Sequence, residues 1–311
     1  MTTRDRLHGC LIGLATGDAV GTTVEFKPRG TFTPLTDMVG GGPFRLPAGA
    51  WTDDTSMALC LATSLVETGR FDPQDQMERY WRWFTEGYLS STNRCFDIGN
   101  TIRDALTRWR STGNPYSGST DPYAAGNGCL MRLAPVVMFY ADDSATAIQH
   151  AQDSARTTHG AVECLDCTRL FANLLIKALS GESKTDILFG SLLPQVLPLA
   201  PKVQAIADGG YRDKTAAQIK GSGYVVNSLE AALWSFWTTD DFRSAVLCAA
   251  NLGDDADTTA AIVGQLAGAF YGVNAIPSAW RATLVKGDEI SALADDLHCS
   301  SPIERDDRFT W

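Results

Sequence analysis

A glycine stands at every fourth position of one stretch near the start of the chain: Gly9-Cys10-Leu11-Ile12-Gly13-Leu14-Ala15-Thr16-Gly17-Asp18-Ala19-Val20-Gly21. The same spacing recurs in a later segment that holds Ala256, Ala260, Gly264, Gly268 and Gly272. Residues four apart lie on one face of a helix. Each glycine weakens a helix by about 1 kcal/mol relative to alanine, a cost that close approach of a second backbone would explain. We therefore predict two helices packed tightly at the centre of a single domain, although Gly21 and Gly272 also suit helix ends.

Helical periodicity dominates the rest of the sequence as well. Apolar residues at helical spacing start at Leu7, and a second series runs from Met57 to a stop at Gly69. Asp72-Pro73 is a typical start for a third helix. Alternating strand patterns are almost absent, so we predict an all-α domain. Further helices are predicted over 100–110, 130–140, 144–156, 161–180, 227–237, 241–250, 258–271 and 288–297.

Composition excludes several classes of protein. The 311 residues are 44% hydrophobic and 20% charged, with a net charge of −10, which argues against a nucleic-acid-binding surface. No apolar run is long enough to span a membrane, and the N-terminus lacks the apolar segment of a signal peptide. Cys164 and Cys167 form one C-x-x-C inside a predicted helix, without the second pair of a zinc site. We expect a cytoplasmic protein with reduced cysteines.

Two clusters rich in aspartate lie about two hundred positions apart. Each precedes an apolar run with helical spacing, and they read Trp51-Thr52-Asp53-Asp54-Thr55 and Gly253-Asp254-Asp255-Ala256-Asp257-Thr258. Two like charges 4 Å apart repel by about 4 kcal/mol at an effective dielectric constant of 20, so crowded carboxylates favour a bound cation. Oxygen ligands suit Mg²⁺, Mn²⁺ or Ca²⁺. The alternative is that these residues are ordinary N-caps of two surface helices; the presence of two matching clusters favours the metal site.

Other polar segments give weaker signals. Asp18 suits a cap or a solvated charge, and Asp97-Ile98-Gly99-Asn100 resembles a turn that presents amides to a phosphate. Gly126-Asn127-Gly128 indicates either close approach to a ligand or simply a helix entry. His159 is either structural or a substrate contact. The segments 26–50 and 111–128 are long and rich in glycine and proline, as substrate loops often are. The sequence contains none of the P-loop, G-x-S-x-G or H-E-x-x-H motifs.

Together these residues resemble the ADP-ribosylglycohydrolase family, which includes the dinitrogenase-reductase-activating glycohydrolase and the vertebrate ADP-ribosylhydrolases. The resemblance runs in order from residue 7 to about residue 272. It rests on five motifs: Gly13–Gly21 with Glu25, Trp51–Thr55, Asp97–Thr101, Gly126–Gly128 with Met131-Arg132, and Asp255–Thr258.

The resemblance implies a compact, single-domain orthogonal helical bundle over residues 1–311 with two Mg²⁺ or Mn²⁺ ions. The implied metal ligands are Thr52, Asp53, Asp54, Asp255, Asp257 and Thr258. The implied substrate-binding residues are Asp97, Ile98, Gly99, Asn100, Gly126, Asn127, Gly128, Cys129 and His159. Two positions depart from the family pattern: Asp254 stands where many members have glycine, and Cys129 where a serine, glycine or alanine is common.

The implied reaction is hydrolysis of the bond between ADP-ribose and an acceptor, with ADP-ribose as product. The metals activate a water molecule, and Glu25 or Asp97 acts as general base or proton shuttle. We expect Glu25, which opens the 26–50 segment, to lie on a movable loop over the metals. The acceptor stays open between arginine, serine, a nucleobase and a small ester. We expect a monomer that does not bind membranes and has no surface for stable binding of nucleic acid.

Two alternatives accompany this interpretation. Isoprenoid synthases are all-α, diphosphate-processing enzymes that also use two aspartate clusters and Mg²⁺. Their first cluster needs D-D-x-x-D spacing, and Asp53-Asp54-Thr55-Ser56-Met57 lacks the last aspartate. The second alternative is a catalytically silent ADP-ribose-binding or structural protein on the same scaffold. Such a protein would be expected to lose metal ligands, whereas all the implied positions are filled here.

Overall fold

The computed structural model describes residues 1–300, and these contain helices joined by loops, with no strand. Isolated bridge pairs join Gly41 to Leu46, Ser119 to His159 and Gly126 to Tyr224. The all-α prediction is confirmed for these residues. The last eleven residues of the predicted single domain, 301–311, lie outside the described part. The helices are α1 (Thr3–Gly21), α2 (Asp53–Thr68), α3 (Pro73–Glu86), α4 (Asn100–Thr112), α5 (Ala134–Phe139), α6 (Ser144–Arg156), α7 (Val162–Leu179), α8 (Lys184–Phe189), α9 (Pro201–Ala207), α10 (Val225–Trp237), α11 (Phe242–Ala250), α12 (Ala256–Tyr271), α13 (Ser278–Thr283) and α14 (Gly287–Cys299).

The two glycine-bearing helices, α1 and α12, form the centre of the fold. A Cβ atom built on Gly9 would lie 2.1 Å from the carbonyl oxygen of Gly268, and one on Gly13 would lie 2.3 Å from that of Gly264. Further along, a Cβ on Gly17 would lie 2.1 Å from the oxygen of Ala260. These separations are far below van der Waals contact, so only glycine permits this approach. The predicted close packing is confirmed.

The direction of this helix pair decides where the acidic residues lie. Residue numbers rise along α1 while their partners fall along α12, so the helices run antiparallel. The end of α1 therefore meets the start of α12, and a Cβ atom on Gly21 would lie 2.4 Å from the carbonyl oxygen of Ala256. Gly21 is thus both a helix end and a contact, whereas Gly272 ends α12 with a φ of +80°.

Most predicted helices are present with shifted ends. The main error is over 130–140, because residues 130–132 form turns and α5 begins only at Ala134. Three short helices, α8, α9 and α13, were not predicted. The C-x-x-C pair lies inside α7 as predicted, and both of its cysteines are buried thiols. No helix within residues 1–300 is long and apolar enough to cross a membrane.

Candidate metal and substrate site

Asp18 joins the end of α1 to the first turn of α2. Its buried carboxylate accepts the backbone N–H groups of Thr52 at 2.9 Å and Thr55 at 3.0 Å. It also accepts their hydroxyl groups, at 2.9 and 2.6 Å respectively. Burial raises the pKa of Asp18 to about 6, although these hydrogen bonds oppose the rise. Asp18 is therefore a buried cap supplied by another helix, not a solvated charge.

The aspartate clusters do not act as ordinary helix caps. Thr52 and Asp255 occupy the N-cap positions of α2 and α12, and neither side chain accepts a hydrogen bond from its own helix. Instead, carboxylate oxygens of Asp18, Asp54 and Asp257 lie within 4.8 Å of one another. Burial, followed by repulsion from neighbouring aspartates, raises the pKa values of Asp54 and Asp257 well above their ordinary value. This convergence argues against the cap alternative, because a cap needs no second carboxylate beside it.

One oxygen of Asp54 is an orphan in this arrangement. Its Oδ1 atom accepts the hydroxyl of Thr258 at 3.1 Å, but its Oδ2 atom is buried without a hydrogen-bond partner. Leaving such a group unsatisfied costs about 1–3 kcal/mol, and more when it is charged. Asp53, which is also buried, has its pKa raised for the same reasons. The side-chain atoms available to bind a metal here are all oxygens, which are the ligands that hard divalent cations prefer.

Glu25 and Asp97 form a second acidic group next to the first. Carboxylate oxygens of Glu25, Asp97 and Asp257 lie within 4.8 Å of one another. Burial raises the pKa of Asp97 to about 9, with Asp257 as the next cause. Burial and the same neighbour also raise the pKa of Glu25. Groups with such raised pKa values can hold a proton near neutral pH, as general acid–base catalysis requires.

The residues that follow Glu25 are tied to the turn before α12. The N–H of Phe26 donates to the carbonyl of Asp254 at 2.7 Å, and the N–H of Asp254 donates to the carbonyl of Lys27 at 2.9 Å. The guanidinium of Arg29 donates to the carbonyl of Leu252 at 3.1 Å. In this structure the residues after Glu25 are therefore joined to the turn before α12, and the movable loop predicted for Glu25 stays a prediction.

Five acidic residues line a cleft of about 350 Å³: Glu25, Asp53, Asp97, Asp255 and Asp257. Thr52, Asp54 and Cys129 are buried and do not line it; the Cys129 thiol is 3.9 Å from the carbonyl oxygen of Cys164. The other residues predicted for the site all line the cleft: Glu25, Asp53, Asp97, Ile98, Gly99, Asn100, Gly126, Asn127, Gly128, His159, Asp255, Asp257 and Thr258.

The start of α4 faces this cleft. Gly99 is its N-cap and offers no side chain to the helix, and the first helical residues Asn100, Thr101 and Ile102 line the cleft. The first N–H groups of a helix lack partners within that helix and favour anions. Asp97 begins this turn with a φ of +61°, a left-handed conformation that is uncommon outside glycine.

The Gly126–Gly128 turn is held by buried polar side chains. Asn127 donates to a carboxylate oxygen of Asp255 at 2.9 Å. The guanidinium of Arg132 donates to the carbonyl of Gly128 and to the hydroxyl of Thr158, both at 2.6 Å. Arg132 thus fixes the turn and the segment before His159 in one arrangement.

The His159 ring lies against the same turn. A Cβ atom on Gly128 would lie 2.8 Å from the ring, so glycine permits this packing. The Nδ1 atom of His159 is 2.8 Å from the hydroxyl oxygen of Thr158. Burial, with repulsion from Arg132 second, lowers the pKa of His159 to about 3. The ring is therefore neutral near pH 7.

Several lining residues were not predicted. Phe26, Met131 and Gly223 border the cleft, and a Cβ atom on Gly223 would lie 3.0 Å from a carboxylate oxygen of Asp255. Gly223 lies in an irregular segment without a motif that could have marked it. Arg132 belongs to one of the five family motifs, but its role depends on partners distant in the sequence.

A second cavity of about 620 Å³ adjoins the cleft. The two share Thr101, Gly126 and Gly223. Its other walls include the aromatic rings of Tyr123 and Tyr224. The acidic cleft therefore has a neighbouring cavity whose lining includes two tyrosines.

The sequence and the fold are both similar to those of known proteins. A family model described as ADP-ribosylglycohydrolase matches residues 1–305. ADP-ribosylarginine hydrolase Tri1 of Pseudomonas putida (strain GB-1) is 46% identical over 298 residues, which cover 96% of this chain and 79% of that protein. ADP-ribosyl-[dinitrogen reductase] glycohydrolase of Rhodospirillum rubrum is 34% identical over 297 residues, covering 90% of each chain. A solved structure titled "ADP-ribosylglycohydrolase-related protein complex" superposes with a TM-score of 0.84 at 44% identity, covering 96% of this chain and 99% of that one.

Proposed function

Because this chain belongs to the ADP-ribosylglycohydrolase family, we propose that it hydrolyses the bond between ADP-ribose and the guanidinium group of an arginine side chain. The enzyme class and the ADP-ribosylhydrolase activity follow from the family and from relatives named as hydrolases. This assignment leaves no support for the diphosphate-processing or catalytically silent alternatives.

The observation that carries the proposal is the convergence of two acidic groups, which share Asp257, at one cleft. The choice of arginine is supported by the relative that is 46% identical, which is named an ADP-ribosylarginine hydrolase. The R. rubrum relative acts, by its name, on an ADP-ribosylated protein, which makes a protein side chain the natural acceptor class.

We propose that two Mg²⁺ or Mn²⁺ ions bind where the helices α1, α2 and α12 meet. Their ligands would be Thr52, Asp53, Asp54, Asp255, Asp257 and Thr258. The orphan Oδ2 atom of Asp54 supports this set, since a cation would satisfy it. Asp18 would position α2 instead of binding a metal, because both its oxygens already accept hydrogen bonds. Such ions, when bound, act as Lewis acids that lower the pKa of water.

The chain's own residues would then bind and orient the substrate. The amides at the start of α4, from Asp97 to Asn100, would bind the diphosphate. The Gly126–Gly128 turn and the neutral His159 ring would form the wall beside the ribose. The adenosine end would extend toward the cavity lined by Tyr123 and Tyr224, because that cavity shares three lining residues with the cleft. Glu25 and Asp97 would move the protons, one from the attacking water and one to the leaving nitrogen.

Binding of the product tests the site directly. We expect isothermal titration in Mg²⁺ to show one ADP-ribose bound per chain. At 100 times its dissociation constant, ADP-ribose should stabilise the fold by about 2.7 kcal/mol. Absence of both binding heat and thermal stabilisation would contradict the proposed function.

Glu25→Gln should lower kcat by about 10²-fold or more, with little change in melting temperature. The substitution preserves size but removes the group that can exchange a proton, a role that typically contributes 10²- to 10⁴-fold. Glu78→Gln, the same change on the exposed face of α3, is the matched control and should leave kcat unchanged. Full kcat in Glu25→Gln would assign the proton transfer to Asp97.

We also propose that the enzyme acts as a cytoplasmic monomer. The buried cysteines Cys10, Cys60, Cys129, Cys164 and Cys167 are thiols, as a reducing compartment allows.

A further inference from the structure

Phe26 is an exposed aromatic ring at the edge of the acidic cleft. Its exposed fraction is 64%, whereas phenylalanine is usually buried. Its φ angle is +62°, a left-handed conformation that is costly for a bulky side chain. The backbone pairing with Asp254 holds this conformation. A ring held exposed at the edge of the cleft by a strained backbone is a candidate for ligand contact.

Phe26 is the first of three rings in a row. Its ring centroid lies 6.4 Å from that of Phe44, in an edge-to-face arrangement. The Phe44 centroid in turn lies 5.2 Å from that of Phe96. Phe44 and Phe96 are half-buried and line a cavity of about 230 Å³, with the exposed Arg94 on another wall. These three residues, the phenylalanine row, therefore lead from the acidic cleft to a separate cavity.

The position of the row indicates which part of a substrate it contacts. Phe26 directly follows Glu25, and Phe96 directly precedes Asp97, so the row flanks both carboxylates proposed to move protons. The leaving group must lie near those carboxylates to be protonated. The nucleotide part would occupy the other end of the cleft, which is bordered by Thr101 and Gly126.

The chemistry of the row suits a planar cation. Aromatic faces attract guanidinium groups, which are weakly hydrated and stack well on rings. Within residues 1–300, no arginine or lysine lies over these three rings, whereas Arg82 lies 3.9 Å from the ring centre of Tyr88. We infer that Phe26, Phe44 and Phe96 form the platform that binds the guanidinium of the acceptor arginine and so select this acceptor. This inference rests on the proposed function.

Steady-state kinetics on a peptide ADP-ribosylated at arginine test the inference. Phe26→Ala should raise KM about tenfold while kcat changes less than twofold, because the ring binds the substrate and takes no part in proton transfer. Phe26→Tyr should restore the wild-type KM, since it keeps the aromatic face. Phe26→Leu should behave like Phe26→Ala. Val39→Ala, which truncates another exposed apolar side chain outside the cleft, is the matched control and should have no effect.

Titration with ADP-ribose separates this inference from the proposed function. All four variants should bind ADP-ribose within about twofold of the wild type, because the product lacks the acceptor. A KM unchanged in Phe26→Ala would overturn the inference, as would rescue by leucine, a fall in kcat alone, or an equal loss of ADP-ribose affinity. Failure of the wild type to bind ADP-ribose would instead overturn the proposed function.

Discussion

Asp257→Asn should reduce turnover by about 10³-fold or more, the equivalent of about 4 kcal/mol of transition-state stabilisation. Asp257 is the residue where the two acidic groups meet: it lies close to Asp18 and Asp54 on one side and to Glu25 and Asp97 on the other. Asparagine keeps the size of the side chain but not its charge. We therefore expect the variant to lose at least one metal ion while the fold persists.

Metal analysis after equilibration with Mn²⁺ and desalting gives the direct measurement for this variant. The wild type should retain two ions per chain and Asp257→Asn at most one. Asp254→Asn makes the same chemical change three residues away, at an exposed position whose φ of +57° asparagine also tolerates. This control should retain both ions and full activity. Equal metal content in all three proteins would contradict the assignment of Asp257 as a ligand.

Gly268→Ala should lower the free energy of unfolding by about 3 kcal/mol or more. The added Cβ atom would lie 1.8 Å from the carbonyl oxygen of Gly9, so the backbones of α1 and α12 would have to separate. That displacement would also move Asp18 away from Asp257. In an unconstrained helix the same substitution would be stabilising, by about 1 kcal/mol.

Urea denaturation measures this effect, with Gly287→Ala as the matched control. Gly287 begins α14, and a Cβ atom there would meet its nearest neighbour at 3.4 Å, an ordinary contact. The control should be neutral or slightly stabilising. If Gly268→Ala were as stable as the wild type, the glycine contact would not determine the packing of the central helices.

The central helix pair could be predicted from sequence because its signal is both long and regular. Glycine at every fourth position is costly unless a second backbone approaches, so the spacing alone indicates that α1 and α12 pack together. The helices α8 and α13 have six residues each, and α9 has seven. Helices this short are not stable alone and form through tertiary contacts, so their sequences carry little periodic signal. The start of α5 was placed four residues early for a related reason, since Gln265 of α12 accepts the N–H of Ala134 at 2.8 Å.

The two aspartate clusters could be found from sequence because they occur in runs beside helix starts, whereas Glu25 was implied only by the family resemblance. Their supporting contacts could not be found in this way. Asp18 caps α2 across thirty-four positions, and Gln265 donates to the carbonyl of Leu130 across 135 positions. Neither partnership leaves a local pattern. The phenylalanine row is similar, because Phe26, Phe44 and Phe96 become neighbours only through the fold.

Release of ADP-ribose from an arginine-linked peptide, with and without divalent metal, tests the central claim most directly. The purified enzyme in Mg²⁺ or Mn²⁺ should convert the peptide completely to ADP-ribose and unmodified arginine. A chelator should stop the reaction, and excess metal should restore it. Equal release in the presence of chelator, or no release with either metal, would contradict the account of this cleft as a metal-dependent ADP-ribosylarginine hydrolase site.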